Sequence, residues 1–227
     1  EIAEDMKRVH GLSADSEFIN IISNEITAEI NRELMDKLYI SAKPGAQWTG
    51  TPGTLDLTAD VGGRWSAERF RGLQFAIERD ANKIATETRR GKGNKLVVSA
   101  DVASALAFAG IMSFAPAIAA QTNLNVDPSG ATFVGTMGTY SVYVDPYAAG
   151  DGYLVTYKGQ DAVDAGIFYA PYIPLSLNRA VNPVNFQMAL GFKTRYGFAV
   201  NPFANPTGAF VPGTNQYMRA TAISDIF

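Results

Sequence analysis

An α+β fold is predicted by three features of this 227-residue sequence. Two long segments carry apolar residues at helical spacing, and a short apolar strand separates the second of them from a further helix. The last third is built from Tyr-, Phe- and Val-rich segments separated by Gly and Pro: GTYSVYVDPYA, GYLVTYKG, DAGIFYAPYIPL and GFKTRYGFAVNPF. These segments contain no nucleophile–base pair and no metal-ligating cluster. We interpret their aromatic content as packing surface, both within the chain and between subunits.

The first third is predicted to be helical. A short helix is expected to close at Gly11, with the apolar positions Ile2, Met6 and Val9. A second helix, capped by Ser13 and stopped by Pro44 and Gly45, is predicted from apolar residues at intervals of four: Phe18, Ile22, Ile26, Ile30, Leu34 and Leu38. Because this interval drifts around a helix of 3.6 residues per turn, we expect a helix about 40 Å long whose stripe is buried diagonally over a sheet.

The middle of the chain predicts one helix, one buried strand and another helix. The first helix begins at Ser66 and ends at Arg89–Gly91, with the apolar positions Phe70, Leu73, Ile77, Ala81 and Ile84. The strand is KLVV at 95–98, and Ser99 caps a helix that runs to Gly110. Residues 111–130 are predicted to form a loop.

The remaining elements are predicted to be strands. Two of them lie within residues 132–145 and turn near residues 135–138, and the others lie at residues 153–158, 166–173, 191–200 and 216–223. In the 191–200 segment, Phe192, Tyr196, Phe198 and Val200 alternate with Lys193, Arg195 and Gly197. This alternation predicts one buried face and one face exposed to solvent or to another subunit.

The composition bounds the function. A hydrophobic fraction of 47% can supply a core, and a formal charge of −3 provides no basic field for a nucleic-acid backbone. The chain has no cysteine, which excludes disulfides and thiolate metal sites. No apolar run is long enough to span a bilayer, and the start EIAEDMKRVH lacks the features of a signal peptide, so we expect a soluble, unsecreted protein.

RRGKGNK at 89–95 is the segment most similar to a phosphate-binding loop, because Gly91 and Gly93 free the backbone and Lys92 and Lys95 add charge. A P-loop needs a Lys-Ser/Thr pair and a following helix, whereas this segment follows a helix and enters a strand. We interpret it as a helix-ending turn with a solvated basic rim, and phosphate binding is the alternative.

The other titratable groups also receive structural interpretations. His10 is the only histidine and is placed at a helix end, so a site with two His ligands is excluded. Asp145 followed by Pro146 is a pair that favours a turn, although Asp145 could also mark a ligand site at a strand end. Two carboxylate pairs, Asp56 with Asp60 and Asp161 with Asp164, are interpreted as solvated turn residues and not as a cation or acid–base site.

The helix after Ser66 carries charges of both signs. Its bases are Arg64, Arg69, Arg71, Arg79, Lys83, Arg89 and Arg90, and its acids are Glu68, Glu78, Asp80 and Glu87. Such mixing is typical of a solvated face or of salt bridges between subunits. From the residues alone we predict a structural or binding protein with no catalytic, cofactor or metal residues.

The sequence resembles the carboxyl-terminal half of the major capsid proteins of T-even-type tailed bacteriophages. The strings that carry the resemblance are the four aromatic segments together with HGLSADSE, AEINRE, AKPGAQ, IERDAN and TRRGKGN, and they are most similar to those of marine cyanobacterial phages. The resemblance implies the Hong Kong 97-type phage capsid fold. Residues 1–65 would be part of a peripheral domain with a spine helix at 13–42, residues 66–175 an axial domain, and residues 176–227 a return to the peripheral domain.

The resemblance also implies a function and partners. The chain would self-assemble into hexameric capsomers of an icosahedral head shell, located in the virion, that encloses double-stranded DNA without sequence-specific binding. Vertex, portal and accessory head proteins would be its other partners, and no membrane is involved. The family's amino-terminal arm and extended hairpin loop are expected to lie upstream of residue 1. Two alternatives stay open: a related vertex protein at pentamer positions, and a ligand-binding or enzymatic α+β domain.

Overall fold

The structure is a computed structural model that describes residues 8–9, 11, 14–58, 66–115, 130–184, 188–205, 211–224 and 226. Its helices are α1 (Ala14–Ser41), α2 (Ser66–Thr88) and α3 (Ala100–Phe108), with a 3-10 turn at Pro202–Ala204. Its strands are β1 (Ala42–Pro44), β2 (Thr54–Asp56), β3 (Lys95–Val98), β4 (Ser113–Phe114), β5 (Thr132–Met137), β6 (Tyr140–Val144), β7 (Gly152–Thr156), β8 (Ile167–Val181), β9 (Met188–Val200) and β10 (Asn215–Ser224). The α+β class is confirmed.

The strands form one mixed sheet and one separate hairpin. The sheet has the order β1-β10-β7-β3-β6-β5-β4, with β2 paired to β10 beside β1. Strand β3 runs parallel to β6 and antiparallel to β7, whereas β1 and β2 both run parallel to β10. The sheet therefore joins strands from the beginning, the middle and the end of the chain.

Alternation along the central strands builds a core on each face of the sheet. Leu96 and Val98 of β3 point to the face covered by α2 and α3, and Val97 points to the opposite face. Strand β7 repeats the pattern, with Tyr153 on the α2 face and Leu154 on the other. The carboxyl-terminal part of α1 covers that second face.

Helices α2 and α3 agree with the sequence pattern. The stripe of α2 is fully buried at Leu73, Ile77 and Ile84. Ser99 caps α3 and accepts a hydrogen bond from the Val102 amide at 3.4 Å. Asp101 lies in the first turn, where its negative charge interacts favourably with the helix dipole.

Helix α1 is long but only partly packed. Its 28 residues span about 42 Å, and the helix ends at Ser41, before Pro44, because Ala42 already pairs with β10. The prediction that its whole stripe is buried is wrong. Leu38 packs on the sheet, and Ile30 is half-buried, but Phe18 is 58% exposed and Ile22 is 40% exposed. The first half of α1 therefore extends beyond the sheet.

The predicted strands at 166–173 and 191–200 belong to one long hairpin, β8–β9. Strand β8 is longer than expected because Pro171 and Pro174 resemble strand breakers, whereas in the structure they lie at shifts in the pairing register. Along β9, Phe192, Tyr196 and Phe198 are half-buried and Lys193 is exposed, which confirms the predicted alternation. The tyrosine hydroxyl of this row donates a hydrogen bond to Glu33 of α1, so the hairpin lies against that helix.

The predicted turn near residues 135–138 is only partly correct. The chain turns at Gly138, which has a φ of +58°, between β5 and β6. Gly135 instead lies inside β5 at a register shift, where a Cβ atom would be 2.2 Å from the Ser113 carbonyl oxygen. Close approach of β4 therefore explains this glycine. Within the predicted loop 111–130, residues 116–129 lie outside the described ranges.

Candidate functional site

A buried carboxylate, Asp80, joins α2 to the sheet. It lies on the apolar stripe of α2 and is fully buried. Its oxygens accept hydrogen bonds from the Tyr153 hydroxyl at 2.8 Å, the Thr221 hydroxyl at 3.1 Å and the Ala46 amide at 3.1 Å. Burial raises the pKa of Asp80, and the hydrogen bonds together with the nearby Arg219 guanidinium oppose that rise. Four separate segments thus meet at one carboxylate.

An ion-pair network continues from this site. Arg219 of β10 is fully buried, and its guanidinium donates to Glu87 at 2.7 Å and to the Pro44 carbonyl at 3.1 Å. Lys43 of β1 donates to the same Glu87 carboxylate at 3.2 Å. The network fixes the end of α2 and strands β1 and β10 in one arrangement, which is an architectural role.

This network was missed in the sequence, although a signal was present. Asp80 is three residues after Ile77 and four before Ile84, so it falls inside the apolar stripe of α2. A lone carboxylate on such a stripe needs buried donors. The prediction that Asp80 belongs to a solvated mixed-charge face is therefore wrong. The donors themselves come from distant strands and could not be identified from spacing.

The acids of α2 are also paired more specifically than predicted. Glu78 accepts hydrogen bonds from Lys92 and from the Tyr140 hydroxyl. Burial opposes the ionisation of Glu78, but these two bonds outweigh it and hold its pKa below the usual value. Because Glu78, Asp80 and Glu87 all face the chain's own groups, the outer side of α2 is left mainly basic.

The RRGKGNK segment is a turn between α2 and β3, as predicted. A Cβ atom at Gly93 would lie 2.5 Å from Val155, and one at Gly91 would lie 2.5 Å from the Tyr157 ring. Both glycines are therefore explained by close packing. Lys92 pairs with Glu78, and Lys95 donates to Ser141 at 3.1 Å. These two lysines therefore do not form the solvated rim that was predicted, and the amides of Gly93 and Asn94 donate to the Ala81 and Thr156 carbonyls.

The other candidate carboxylates take different roles. Asp145 is buried and accepts from the Tyr147 amide at 3.0 Å, which agrees with the predicted turn chemistry. Asp56 accepts from the Thr58 amide at 2.7 Å in a similar turn. Asp164, predicted to be solvated, instead accepts from the Tyr157 hydroxyl at 3.0 Å and pairs with Arg90 at 3.4 Å.

Several predicted positions cannot be placed. His10, Asp60 and Arg64 lie outside the described ranges, as do Ile2, Met6 and Ser13. Among the residues that are described, no group of three His, Cys, Asp or Glu side chains could hold a metal ion. Within the same ranges, no helix has the length and apolar character needed to cross a bilayer.

Exposed apolar side chains form the other notable feature. On α1, Phe18 is 58% exposed and Ile21 is 61% exposed, and on α2 Phe75 is 68% exposed. On the hairpin, Tyr172 is 80% exposed and Val184 is 87% exposed. Single exposed apolar residues are common, but neighbouring ones on protruding elements are typical of surfaces that bind another protein.

Comparison with known proteins identifies one family over nearly the whole chain. Residues 1–223 match the family described as "Major capsid protein Gp23". The major capsid protein of Salmonella phage ViI is 43% identical, and the match covers 100% of this chain and 54% of that protein. The major capsid protein of Serratia phage KSP90 gives the same identity and coverage. That of Enterobacteria phage T4 is 42% identical over 90% of this chain and 41% of its own length.

The chain thus spans about half the length of the curated relatives that it matches. The match runs through the described helices and both β-structures, so it is not confined to one short motif. The chain belongs to the Gp23 major capsid protein family.

Proposed function

We propose that this chain is the shell-forming part of a phage major capsid protein, which self-assembles into hexameric capsomers of an icosahedral head around packaged double-stranded DNA. The observation that carries the proposal is the exposed apolar surface on elements that protrude from the sheet, above all Phe18 and Ile21 on α1. In a family of capsid proteins, such surface is best explained by contact between subunits. This role requires no active site, and the protein would not be an enzyme.

We also propose the Hong Kong 97-type arrangement for this chain. Helix α1 is the candidate spine helix, since it is long and packs on the sheet only near its carboxyl end. The division into residues 1–65, 66–175 and 176–227 stays a prediction. One large sheet includes strands from each of these parts, and the 175/176 boundary falls inside β8. Any hinge between the domains would therefore have to bend β8.

The proposed location is the capsid shell of the virion. Other copies of the chain are the main partners, and vertex, portal and accessory head proteins are proposed as further ones. DNA would be enclosed without sequence-specific binding, and the formal charge of −3 provides no net basic field for its backbone. Closed six-fold rings need different patches on the two sides of each subunit, and apolar surface on both α1 and α2 supports such a head-to-tail contact. The vertex protein of pentamers is the second candidate, because the same surfaces would serve a five-fold ring.

Sedimentation velocity tests the proposal. Residues 1–227 expressed alone should sediment as a monomer or small oligomer, whereas the same residues with the proposed upstream segment should form capsomers or larger assemblies. The physical reason is that the proposed upstream arm and hairpin loop would add contact area between subunits. A longer protein that stays monomeric at every concentration would contradict the proposed function. Stable closed shells from residues 1–227 alone would instead contradict the need for the upstream segment.

A further inference from the structure

The outer side of α2 carries a row of residues at intervals of four: Arg71, Phe75, Arg79 and Lys83. All four side chains are exposed, and Phe75 is 68% exposed in the centre of the row. Among the described residues, no carboxylate forms an ion pair with these three bases. Arg79 lies 4.3 Å from the centre of the Trp48 ring, which orients the guanidinium without neutralising it.

The charge of this row is positive because three of the four acids of α2 are used elsewhere. Asp80 is buried, Glu87 pairs with Arg219 and Lys43, and Glu78 pairs with Lys92. Three bases and one exposed phenylalanine are therefore presented together. The mixture of charges that the sequence shows along α2 separates, in the folded chain, into an acidic inner side and a mainly basic outer side, with Glu68 as the exposed acid of the first turn.

The first half of α1 carries the complementary row at the same spacing: Glu17, Ile21, Glu25 and Glu29. All four side chains are exposed, and Ile21 is 61% exposed. Arg32 lies 3.3 Å from Glu29 and 3.9 Å from Glu25, but pairs between such exposed groups contribute little and are easily exchanged. Three acids and one apolar residue thus match three bases and one apolar residue.

The two rows cannot meet within one chain. Helix α2 packs on one face of the sheet, whereas α1 packs on the opposite face. A second copy of the chain is therefore the occupant that this charge complementarity favours. Rows at four-residue spacing on two helices lie side by side when the helices cross at about −50°, which is the commonest packing class.

We propose that the first half of α1 in one copy docks on the outer side of α2 in the next copy, with the two helices running in the same sense. In this register Glu17 meets Arg71, Glu25 meets Arg79 and Glu29 meets Lys83. Ile21 then packs on Phe75 at the centre, surrounded by the ion pairs. The opposite sense places Glu25 against Phe75 and Ile21 against Arg79, so it loses both the apolar contact and the central ion pair.

This contact uses a different surface on each partner, so repeated copies would form a ring or an open chain. The inference rests on the proposed function, because it names the surfaces through which copies of the chain associate. The helix pairing can be wrong while the proposed function is right, since capsomers could also form through other faces of the subunit.

Cysteine crosslinking tests the register directly, because residues 1–227 contain no cysteine. An Ile21→Cys copy is mixed with a Phe75→Cys copy that carries a size tag, under mild oxidation, and the products are separated on a non-reducing gel. A disulfide needs Cβ atoms within about 4.5 Å, so only a close contact gives the mixed dimer. Ile21→Cys mixed with Val184→Cys, a position that is 87% exposed, is the matched control for random collision.

We expect the Ile21–Phe75 pair to crosslink at least tenfold faster than this control. Adding Arg79→Glu and Lys83→Glu to the Phe75→Cys copy should lower the rate about tenfold, through lost attraction and new repulsion. Adding Glu25→Lys and Glu29→Lys to the Ile21→Cys copy should then restore the rate. Equal rates for the target and control pairs, or charge reversal without rescue, would overturn the inference.

The same samples distinguish this inference from the proposed function. If the longer protein forms capsomers by sedimentation but the Ile21–Phe75 crosslink does not exceed its control, the helix pairing is wrong and the proposed function stands. If the crosslink forms but no capsomers appear under any condition, the pairing is correct and the proposed function is wrong. Circular dichroism of each variant checks that the surface changes leave the fold intact.

Discussion

Replacing Asp80 with alanine should destabilise the chain severely, because this carboxylate is the acceptor for three buried donors. The change would leave the Tyr153 hydroxyl, the Thr221 hydroxyl and the Ala46 amide without their partner. A buried donor left unsatisfied costs about 1–3 kcal/mol, and the two hydroxyls can recover part of that by rotating. The nearby Arg219 also loses one of its two neighbouring carboxylates and keeps its ion pair with Glu87.

The expected loss is therefore about 3–5 kcal/mol in the free energy of unfolding, similar to the loss when one partner of a buried ionic group is removed. Urea denaturation measures it, with Asn82→Ala as the matched control. Asn82 is exposed on the same helix, so that change should stay within about 0.5 kcal/mol. A loss of less than 1 kcal/mol for Asp80→Ala would refute the idea that this network holds α2 to the sheet.

The acid dependence of the Asp80→Asn variant supplies a second test of the same site. Burial raises the pKa of Asp80 in the folded chain above its value in the unfolded chain. Between those two pKa values the folded state binds more protons than the unfolded state. The contribution of Asp80 to stability is therefore fully present below its pKa in the unfolded chain, and it is lost as pH rises through its pKa in the folded chain. The stability difference, parent minus Asp80→Asn, should therefore decrease with rising pH across this window and stay constant above it. A difference that grows with pH would show a depressed pKa instead.

Three further predictions concern other parts of the chain. Gly93→Ala should lower the free energy of unfolding by about 1–3 kcal/mol, because its Cβ atom would lie 2.5 Å from Val155. Gly72→Ala, in the open interior of α2, should raise it by about 0.5–1 kcal/mol. Thermal denaturation that ranks the two variants the other way would contradict the packing. Ile30→Asp should lower the free energy of unfolding by about 1–2 kcal/mol, because Ile30 is half-buried near the hairpin. Phe18→Asp should change the melting temperature little, because Phe18 is 58% exposed. Equal losses of stability for the two variants would show that the first half of α1 is buried. Calorimetry with ATP or inorganic phosphate should detect no saturable binding to the parent or to Lys92→Ala, since Lys92 pairs with Glu78, and micromolar binding that the variant loses would overturn this interpretation.

Local periodicity was enough to predict most of the elements. Helix α2 with its stripe, the KLVV strand and the Ser99 cap all depend on neighbours within a few residues, so their patterns are readable in the sequence. The fold class followed from these patterns together with the aromatic strand segments, whereas the family resemblance rested on strings such as HGLSADSE and IERDAN. Long-range pairing was not readable, because the parallel pairing of β1 and β2 with β10 joins residues more than 150 positions apart.

The candidate surfaces were less predictable than the elements. The apolar stripe of α1 looked uniformly buried because spacing reports which residues share a face and not how far a neighbouring sheet extends. The charges of α2 looked evenly mixed because their internal partners, Lys43, Lys92 and Arg219, come from other elements. Only the folded structure shows which acids of α2 form contacts within the chain and which bases stay exposed to solvent.

Cryo-electron microscopy of a longer protein, residues 1–227 together with the proposed upstream arm and hairpin loop, tests the shell-forming role most directly. We expect six-fold rings, alone or joined into closed icosahedral shells. A reducing agent in the sample prevents disulfide aggregates from mimicking such particles, and residues 1–227 themselves contain no cysteine. Separate monomers without rings, at concentrations well above those at which capsid proteins associate, would contradict the central claim that this chain builds a shell from copies of itself.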